Sequence, residues 1–421
     1  MAEYNLRALI ASSSANVFYM SDLCPNDKAF ALLPRERNIE PAVITPISAP
    51  TPVVLMSPPW ISDVQYYGEF YTTTRWATEP LTDVERRMVR AQESWEKTRE
   101  TDPIALLIKL LKDRGITKDR VGVDESNVPP DHPFWQMISR NLPDLEVVHA
   151  QNVFKEIRMV KSEEEIERIR EAARITERAW ETALEQTSEG MTEKKFSEIY
   201  QHTIISEGGN IVSRMGMLGA PIAFGRRTAF VDIAQPSNYR LKKGDLVRFD
   251  GGCSYMGYPC DMARSAVLGP PDEKLQKYYN AILEGEQLAI EMAKPRVKPS
   301  SIFKAVVDRV RERGIPHFQR HHTGHGLGLE GYDPPLIGPN VETPLEEGMT
   351  ICFETPYYEV GWGGPMVEDI VVITSRDPLF LTKFSTELRQ IGRKEDVTAH
   401  SKVRAALKRH TDLRKPTDLA K

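Results

Sequence analysis

Five side chains in the second half of this 421-residue chain have the types and spacing to hold metal ions: Asp250, Asp261, His325, Glu354 and Glu368. His325 lies in "RHHTGHGLGLEGYDPPLIG" (320–338), where histidine and glycine crowd as they do when backbone and imidazole close around a metal. A histidine in a glycine-rich stretch means little alone. Its weight comes from acids placed where acids are costly. "GDLVRFDGGCSYMGYPCDMARSAVLG" (244–269) reads as two antiparallel strands joined through Gly257 and Tyr258. Side chains alternate along a strand, so Asp250 shares a face with Leu246 and Arg248, and Asp261 shares one with Ala263 and Ser265. Glu354 closes the apolar run "MTICFETPYY" (349–358), and Glu368 sits inside "GPMVEDIVVI" (364–373) with Met366 and Ile370 on its face. A carboxylate among apolar strand residues is expensive unless paired or ligated. Four such acids and one imidazole form an oxygen-rich set suited to two divalent ions of the Mn²⁺, Co²⁺, Fe²⁺ or Zn²⁺ kind. A cysteine-rich structural zinc site does not fit it.

The elements that must position these residues fall into two groups. Residues 4–57 alternate short apolar runs with turn residues, among them "NVFYM" and "PAVITPI", and read as strands of a small α/β unit. "DPIALLIKLLKDRG" (102–115) has helical period with Gly115 as its C-terminal cap, and "DRVGVDESNVPP" (119–130) reads as strand then turn. A domain boundary is expected near 155–160, where Ser162 and Glu165 form a capping box. Ile166, Ile169, Ala173, Trp180 and Leu184 then line one helical face. Strand pairs separated by helices follow, including an amphipathic helix over 301–314. The polar, basic segment after Gly392 reads as a frayed terminus.

Bulk composition fits a globular protein of two domains, with 40% hydrophobic and 27% charged residues and a net charge of −5. That balance gives no reason to expect nucleic acid or an anionic membrane as partner. No run approaches the length of a transmembrane helix, and the N-terminus lacks the basic region of a signal peptide. The four cysteines, Cys24, Cys253, Cys260 and Cys352, form no CxxC pair, so a cytoplasmic protein with reduced thiols is expected. Cys260 and Cys352 read as core thiols.

The five residues, at intervals of 11, 64, 29 and 14, resemble the Asp, Asp, His, Glu, Glu ligand set of the pita-bread metallohydrolases, which include prolidase, aminopeptidase P and methionine aminopeptidase. "HHTGHGLGLEG", "LEEGMTICFE" and "MVEDIVVIT" resemble the last three motifs of that family, "KSEEEIERIREAARITERAW" the helix that opens its catalytic domain, and "ANVFYMSDL" the first strands of its creatinase-type domain. "MAEYNLRALIA" is similar to the end of the helix that normally begins that domain. The resemblance covers about 390 residues. It implies an α/β (α+β) chain with a creatinase-type domain over 1–157, a pita-bread catalytic domain over 158–394 and a tail over 395–421. It also implies a homodimer, with the aromatic stretch Tyr66, Tyr67, Phe70, Tyr71 and Trp76 as a candidate overhang onto the partner's site.

Three departures accompany the match. Prolidases usually have a histidine seventeen residues before the first Asp ligand, where this chain has Ile233. They have another seven residues after the metal histidine, where Tyr332 stands here, and an arginine two residues before the last Glu, where Met366 stands. His321, four residues before the ligand, is kept. The resemblance implies that Asp261 and Glu368 are shared by both ions, that Glu354 also shuttles the proton, and that Tyr332 or His321 steadies an oxyanion. The expected function is hydrolysis of a C–N bond, Xaa-Pro dipeptidase-like with altered specificity. The alternative is a non-peptidase enzyme on the same scaffold, similar to the dimethylsulfoniopropionate lyases, with Asp333 or Glu330 as base. Creatinase-like and ectoine hydrolase-like readings fit poorly because those relatives work without these metals. A non-catalytic binding module fits poorly because such relatives lose ligands.

Overall fold

The computed structural model describes residues 1–23, 28–48, 60–69, 79–214, 217–218, 222–230 and 235–392. Residues 49–57 of the expected strand region, Ile233, Cys24, the aromatics Phe70, Tyr71 and Trp76, and the tail lie outside them.

The first half is a mixed six-stranded sheet. Its order is Asp63–Tyr67, Ala42–Pro46, Phe30–Pro34, Ala8–Ala11, Asp119–Val123, Leu145–His149. Helices Pro103–Asp113 and Pro133–Asn141 supply Leu107, Leu111, Phe134 and Ile138 to one core of this half. A second core gathers Leu9, Val17, Ala31, Val43, Trp95 and Phe154. Gly115 has φ +67, as its place just past the first of these helices requires.

Two expectations for this half need correction. "NVFYM" is not a strand but part of a helix, Ser14–Ser21, capped by the Ser13 side chain, which accepts from Asn16 N–H. The serine cap satisfies an orphan amide of the first turn, and Asn16, Val17, Met20 and Ser21 then bury on one side, a helical rather than a strand spacing. Tyr66 and Tyr67 do not overhang anything within their own chain: both are buried in the N-terminal cores.

The link between the halves is helical. Helix Gln151–Met159 runs out of the first half, and helix Glu163–Glu185 begins the second. The capping box forms as expected, Ser162 N–H donating to Glu165 Oε2 at 2.8 Å and Glu165 N–H to Ser162 Oγ at 3.3 Å. A nine-stranded sheet follows. Its main path is Ile222–Phe224, Leu246–Gly251, Met262–Leu268, Glu368–Val372, Thr350–Glu354, Gly324–Gly326, Asp333–Leu336.

Helices cover this sheet on both faces. Glu163–Glu185 and Glu193–Ser206 pack Trp180 and Phe196 with Phe249, Ile370 and Val372. Glu273–Met292 and Pro299–Glu312 pack Ile282, Val306 and Val310 with Ile351, Phe353, Val371 and Ile373. Cys352, Ile370 and Val372 alternate with that second set along their strands, which is how one strand serves two layers. Among the described residues no helix is long and apolar enough to cross a membrane.

Candidate metal centre

The five predicted residues come together at five neighbouring strands, four of them on strands and Asp261 one residue before Met262–Leu268. Asp250 lies opposite Ala263 in the pairing of Leu246–Gly251 with Met262–Leu268, and Ala263 lies opposite Glu368. Glu368 in turn faces Glu354 across the next pair. Asp261 stands just ahead of that strand, two residues before Ala263, and its carboxylate joins those of Asp250 and Glu368. His325 pairs with Cys352, two residues before Glu354. One region of the sheet thus gathers all five. Glu368 is the first residue of its strand and not interior to it.

The glycines around His325 are there for backbone proximity. A Cβ on Gly324 would meet Cys352 O at 2.4 Å, and one on Gly326 would meet Pro334 O at 2.4 Å. The His325 strand is squeezed between Thr350–Glu354 and Asp333–Leu336, and only glycine fits on either side of the imidazole. What reads as a glycine-rich loop is a short central strand.

All five residues are buried, none more than 7% exposed. Carboxylate oxygens of Asp250, Asp261 and Glu368 lie within 4.8 Å of one another, and so do ligand atoms of His325, Cys352 and Glu368. His325 Nε2 is 3.9 Å from Asp261 Oδ2 and 3.7 Å from Glu368 Oε1. Its Nδ1 is 3.1 Å from Gly326 O, so an Nδ1–H donating to that carbonyl turns the Nε2 lone pair toward the carboxylates. Gathering four carboxylates in a buried pocket is costly unless cations compensate them. Oxygen donors with one oriented imidazole are the set that divalent ions such as Mn²⁺, Co²⁺ or Zn²⁺ favour, so the residues fit the expected metals. Arg264 steadies the site from behind, donating through Nη1 to Glu368 O at 2.6 Å.

Two neighbours, His322 and Arg320, were not legible in the sequence, and Cys352, expected as a core thiol, is buried beside the ligands. His322, buried beside His321, places Nδ1 3.1 Å from Glu354 Oε1. Burial first, then Arg320, His321 and His325, push its pKa down to about 3, so the ring is neutral near pH 7; its Nδ1 accepts from Gly324 N–H at 3.4 Å, which leaves the ring's one N–H at Nε2. Arg320 Nη2 reaches Glu354 Oε2 at 3.3 Å, and its side chain is 9% exposed. Burial, then Glu368 and Asp261, push the Cys352 thiol well above the ordinary range. Adjacent histidines in "HHTGH" carry no sign of which one turns inward, because that depends on backbone direction at the strand's start.

His321 is exposed, its ring edge-on to His322 at 4.2 Å. Tyr332 does enter the site. Its ring stacks on His325 at 3.9 Å with an interplanar angle of 19°, and it meets His322 edge-on at 5.6 Å. At 56% exposure it forms the outer layer over the imidazole. Met366 is buried, its N–H donating to Ser265 Oγ at 2.9 Å. The loop acids Glu330 and Asp333 both accept from Arg158, Glu330 at 2.8 Å.

Residues 167–375 match the Metallopeptidase family M24, and residues 1–160 match the Creatinase/Prolidase N-terminal domain. The chain belongs to the pita-bread peptidase family M24 and is a metal-dependent hydrolase. It is 29% identical over 323 residues to an Xaa-Pro dipeptidase of Pyrococcus horikoshii, covering 76% of this chain and 88% of that protein. It is 34% identical over 237 residues to an Xaa-Pro dipeptidase of Pyrococcus furiosus, covering 56% and 67%. The prolidase structure from Pyrococcus horikoshii superposes with a TM-score of 0.71 at 25% identity, covering 92% of this chain and 97% of that one. An X-Pro aminopeptidase from Thermotoga maritima shares the fold with a TM-score of 0.72 at 24% identity, over 93% and 97%.

Proposed function

We propose that the protein is a dinuclear metal-dependent hydrolase of an amide or peptide-like C–N bond, related to Xaa-Pro dipeptidases but with altered specificity. The observation that carries this reading is the gathering of Asp250, Asp261, Glu368, Glu354 and His325 on and beside five adjacent strands, with Tyr332 laid on the imidazole. Asp250, Asp261, His325, Glu354 and Glu368 would hold two ions, with Asp261 and Glu368 shared. When bound, such ions supply Lewis acidity that polarises a carbonyl and acidifies water.

The chain's own groups do the rest. Glu354, steadied by Arg320 and lying beside the neutral His322, accepts the proton of the attacking water and returns it to the leaving nitrogen. Tyr332 donates a hydrogen bond to the developing oxyanion. A phenol, with a pKa near 10 against about 6.5 for imidazole, suits charge stabilisation better than proton shuttling. The oxyanion part expected of Tyr332 or His321 goes to Tyr332, whose ring stacks on His325, with the Nε2–H of His322 as a second donor beside it. The lyase reading needs Asp333 or Glu330 as base, and both carboxylates are engaged by Arg158. A homodimer in the cytoplasm, with Mn²⁺ among the working ions and the domains dividing near 157, completes the reading.

The test is a panel of Xaa-Pro dipeptides and small betaines offered with Mn²⁺, Co²⁺ or Zn²⁺. Amide hydrolysis that chelation abolishes and added ion restores is expected, with Tyr332→Phe slowing it by about 10²-fold. Elimination from a betaine with no amide cleavage would overturn it. Strong Xaa-Pro cleavage untouched by Tyr332→Phe would instead place the departure at 332 outside function.

A further inference from the structure

A buried polar chain links the first half of the molecule to the loop that carries Tyr332. It begins at Asp124, fully buried at the end of strand Asp119–Val123, whose Oδ2 accepts from Asn16 Nδ2 at 2.8 Å. Asn16 Oδ1 accepts from Arg158 Nη1 at 2.9 Å. These two bonds fix the amide's orientation, because the flipped rotamer would point its NH₂ at a guanidinium. Arg158, in the last turn of helix Gln151–Met159 and 3% exposed, turns its other nitrogen to the catalytic half. There Nη2 donates to Glu330 Oε2 at 2.8 Å and to Asp333 Oδ1. Lys161 Nζ approaches Asp333 Oδ2 at 3.5 Å from the opposite side.

Glu330 and Asp333 bracket Tyr332, and Asp333 is also where the strand after the loop begins, paired with Gly326 beside His325. Close packing holds the carboxylate in place, for a Cβ on Gly328 would fall 1.9 Å from Asp333 Oδ2. Each partner in this chain is either buried or tied to a buried one, so the loop cannot shift without leaving a charge unpaired inside the protein.

We infer that Arg158 is a positioning residue: through Glu330 and Asp333 it fixes the loop that lays Tyr332 over His325, with Asn16 anchoring it from the N-terminal half. The N-terminal half therefore contributes to the geometry of the site in its own chain, through Asn16 and Arg158. This rests on the proposed role of Tyr332 for its effect on turnover, but not for its effect on the loop.

The test uses the full-length protein with Asn16→Ala, which leaves the charged pair intact, alongside Arg158→Ala and Arg158→Lys. Hydrogen exchange is followed in peptides covering 327–336 and 246–268. Asn16→Ala and Arg158→Ala should speed exchange in 327–336 by about tenfold while 246–268 and the bound Mn²⁺ stoichiometry stay unchanged. Arg158→Lys, which can hold one carboxylate but lacks the fork, should fall between. On an amide substrate the loss caused by Tyr332→Phe should shrink in the Arg158→Ala background, since the two then remove the same contact. Exchange that rises uniformly along the chain, or not at all, would overturn the inference, as would strictly additive losses. An enzyme inactive on every amide would refute the proposed function instead, and the exchange data would still decide the clamp.

Discussion

His325 is held from three directions, and each is a separate chemical constraint. Gly326 O fixes its tautomer, Asp261 and Glu368 face its Nε2, and Tyr332 covers its ring. Glu354 is held as closely, between a neutral His322 and Arg320. Glu354→Gln keeps the shape but removes the base together with an anionic ligand. It should lower kcat by about 10²-fold or more, the scale of lost general base catalysis, as steady-state kinetics on a cleaved dipeptide would show. Restoring imidazoles by Tyr332→His with Ile233→His should raise Xaa-Pro cleavage if the native substrate is an ordinary proline dipeptide. It should lower the native reaction if that substrate is another amide. The ligand acids were legible because a carboxylate within or at the end of an apolar strand run violates local patterning, although only Asp250 proves interior to its strand. His322 and Arg320 were not, because nothing in "RHHTGH" says which side chains turn inward.

At the scale of elements, the sequence pattern conveys best what one face of a helix or strand decides. The capping box at Ser162 and Glu165, the buried face from Ile169 to Leu184, and the strands around Asp250 and Glu354 all follow from such patterns. Helix Ser14–Ser21 was misread because its short apolar core mimics a strand and its signal is the serine cap. Helix Asp83–Thr98 is nearly invisible to hydropathy: only Ala91 and Trp95 bury, and it shows itself by the capping box of Thr82 and Glu85.

Asp124 shows how much an element's end can depend on one carboxylate. Burial would raise its pKa, but hydrogen bonds from Ser126, Ser13 and Asn16 outweigh that and hold it below the usual value. A carboxyl whose folded pKa is depressed adds stability above its unfolded pKa near 3.9 and loses it as pH falls through the folded value. Asp124→Asn should therefore cost about 1–3 kcal/mol at pH 7. That gap from wild type, read by urea melts, should narrow as the pH drops from about 5 to about 2. A gap constant across that range would show that Asp124 matters by shape and not by charge.

At the scale of the whole molecule, two halves with separate cores meet through helix Gln151–Met159 and the polar chain at Arg158. The burial of Tyr66 and Tyr67 removes them from any overhang onto a partner. A dimer is still the expectation, and sedimentation at micromolar concentration should give twice the monomer mass of 47.8 kDa. The central claim is that one cluster of five side chains holds two divalent ions. It is tested most directly by counting them: elemental analysis of the protein reconstituted with Mn²⁺ and desalted, beside Glu368→Ala. Two ions per chain in the wild type and at most one in the variant are predicted, because Glu368 is assigned to both. A wild type that retains none, or a variant that still holds two, would contradict the account.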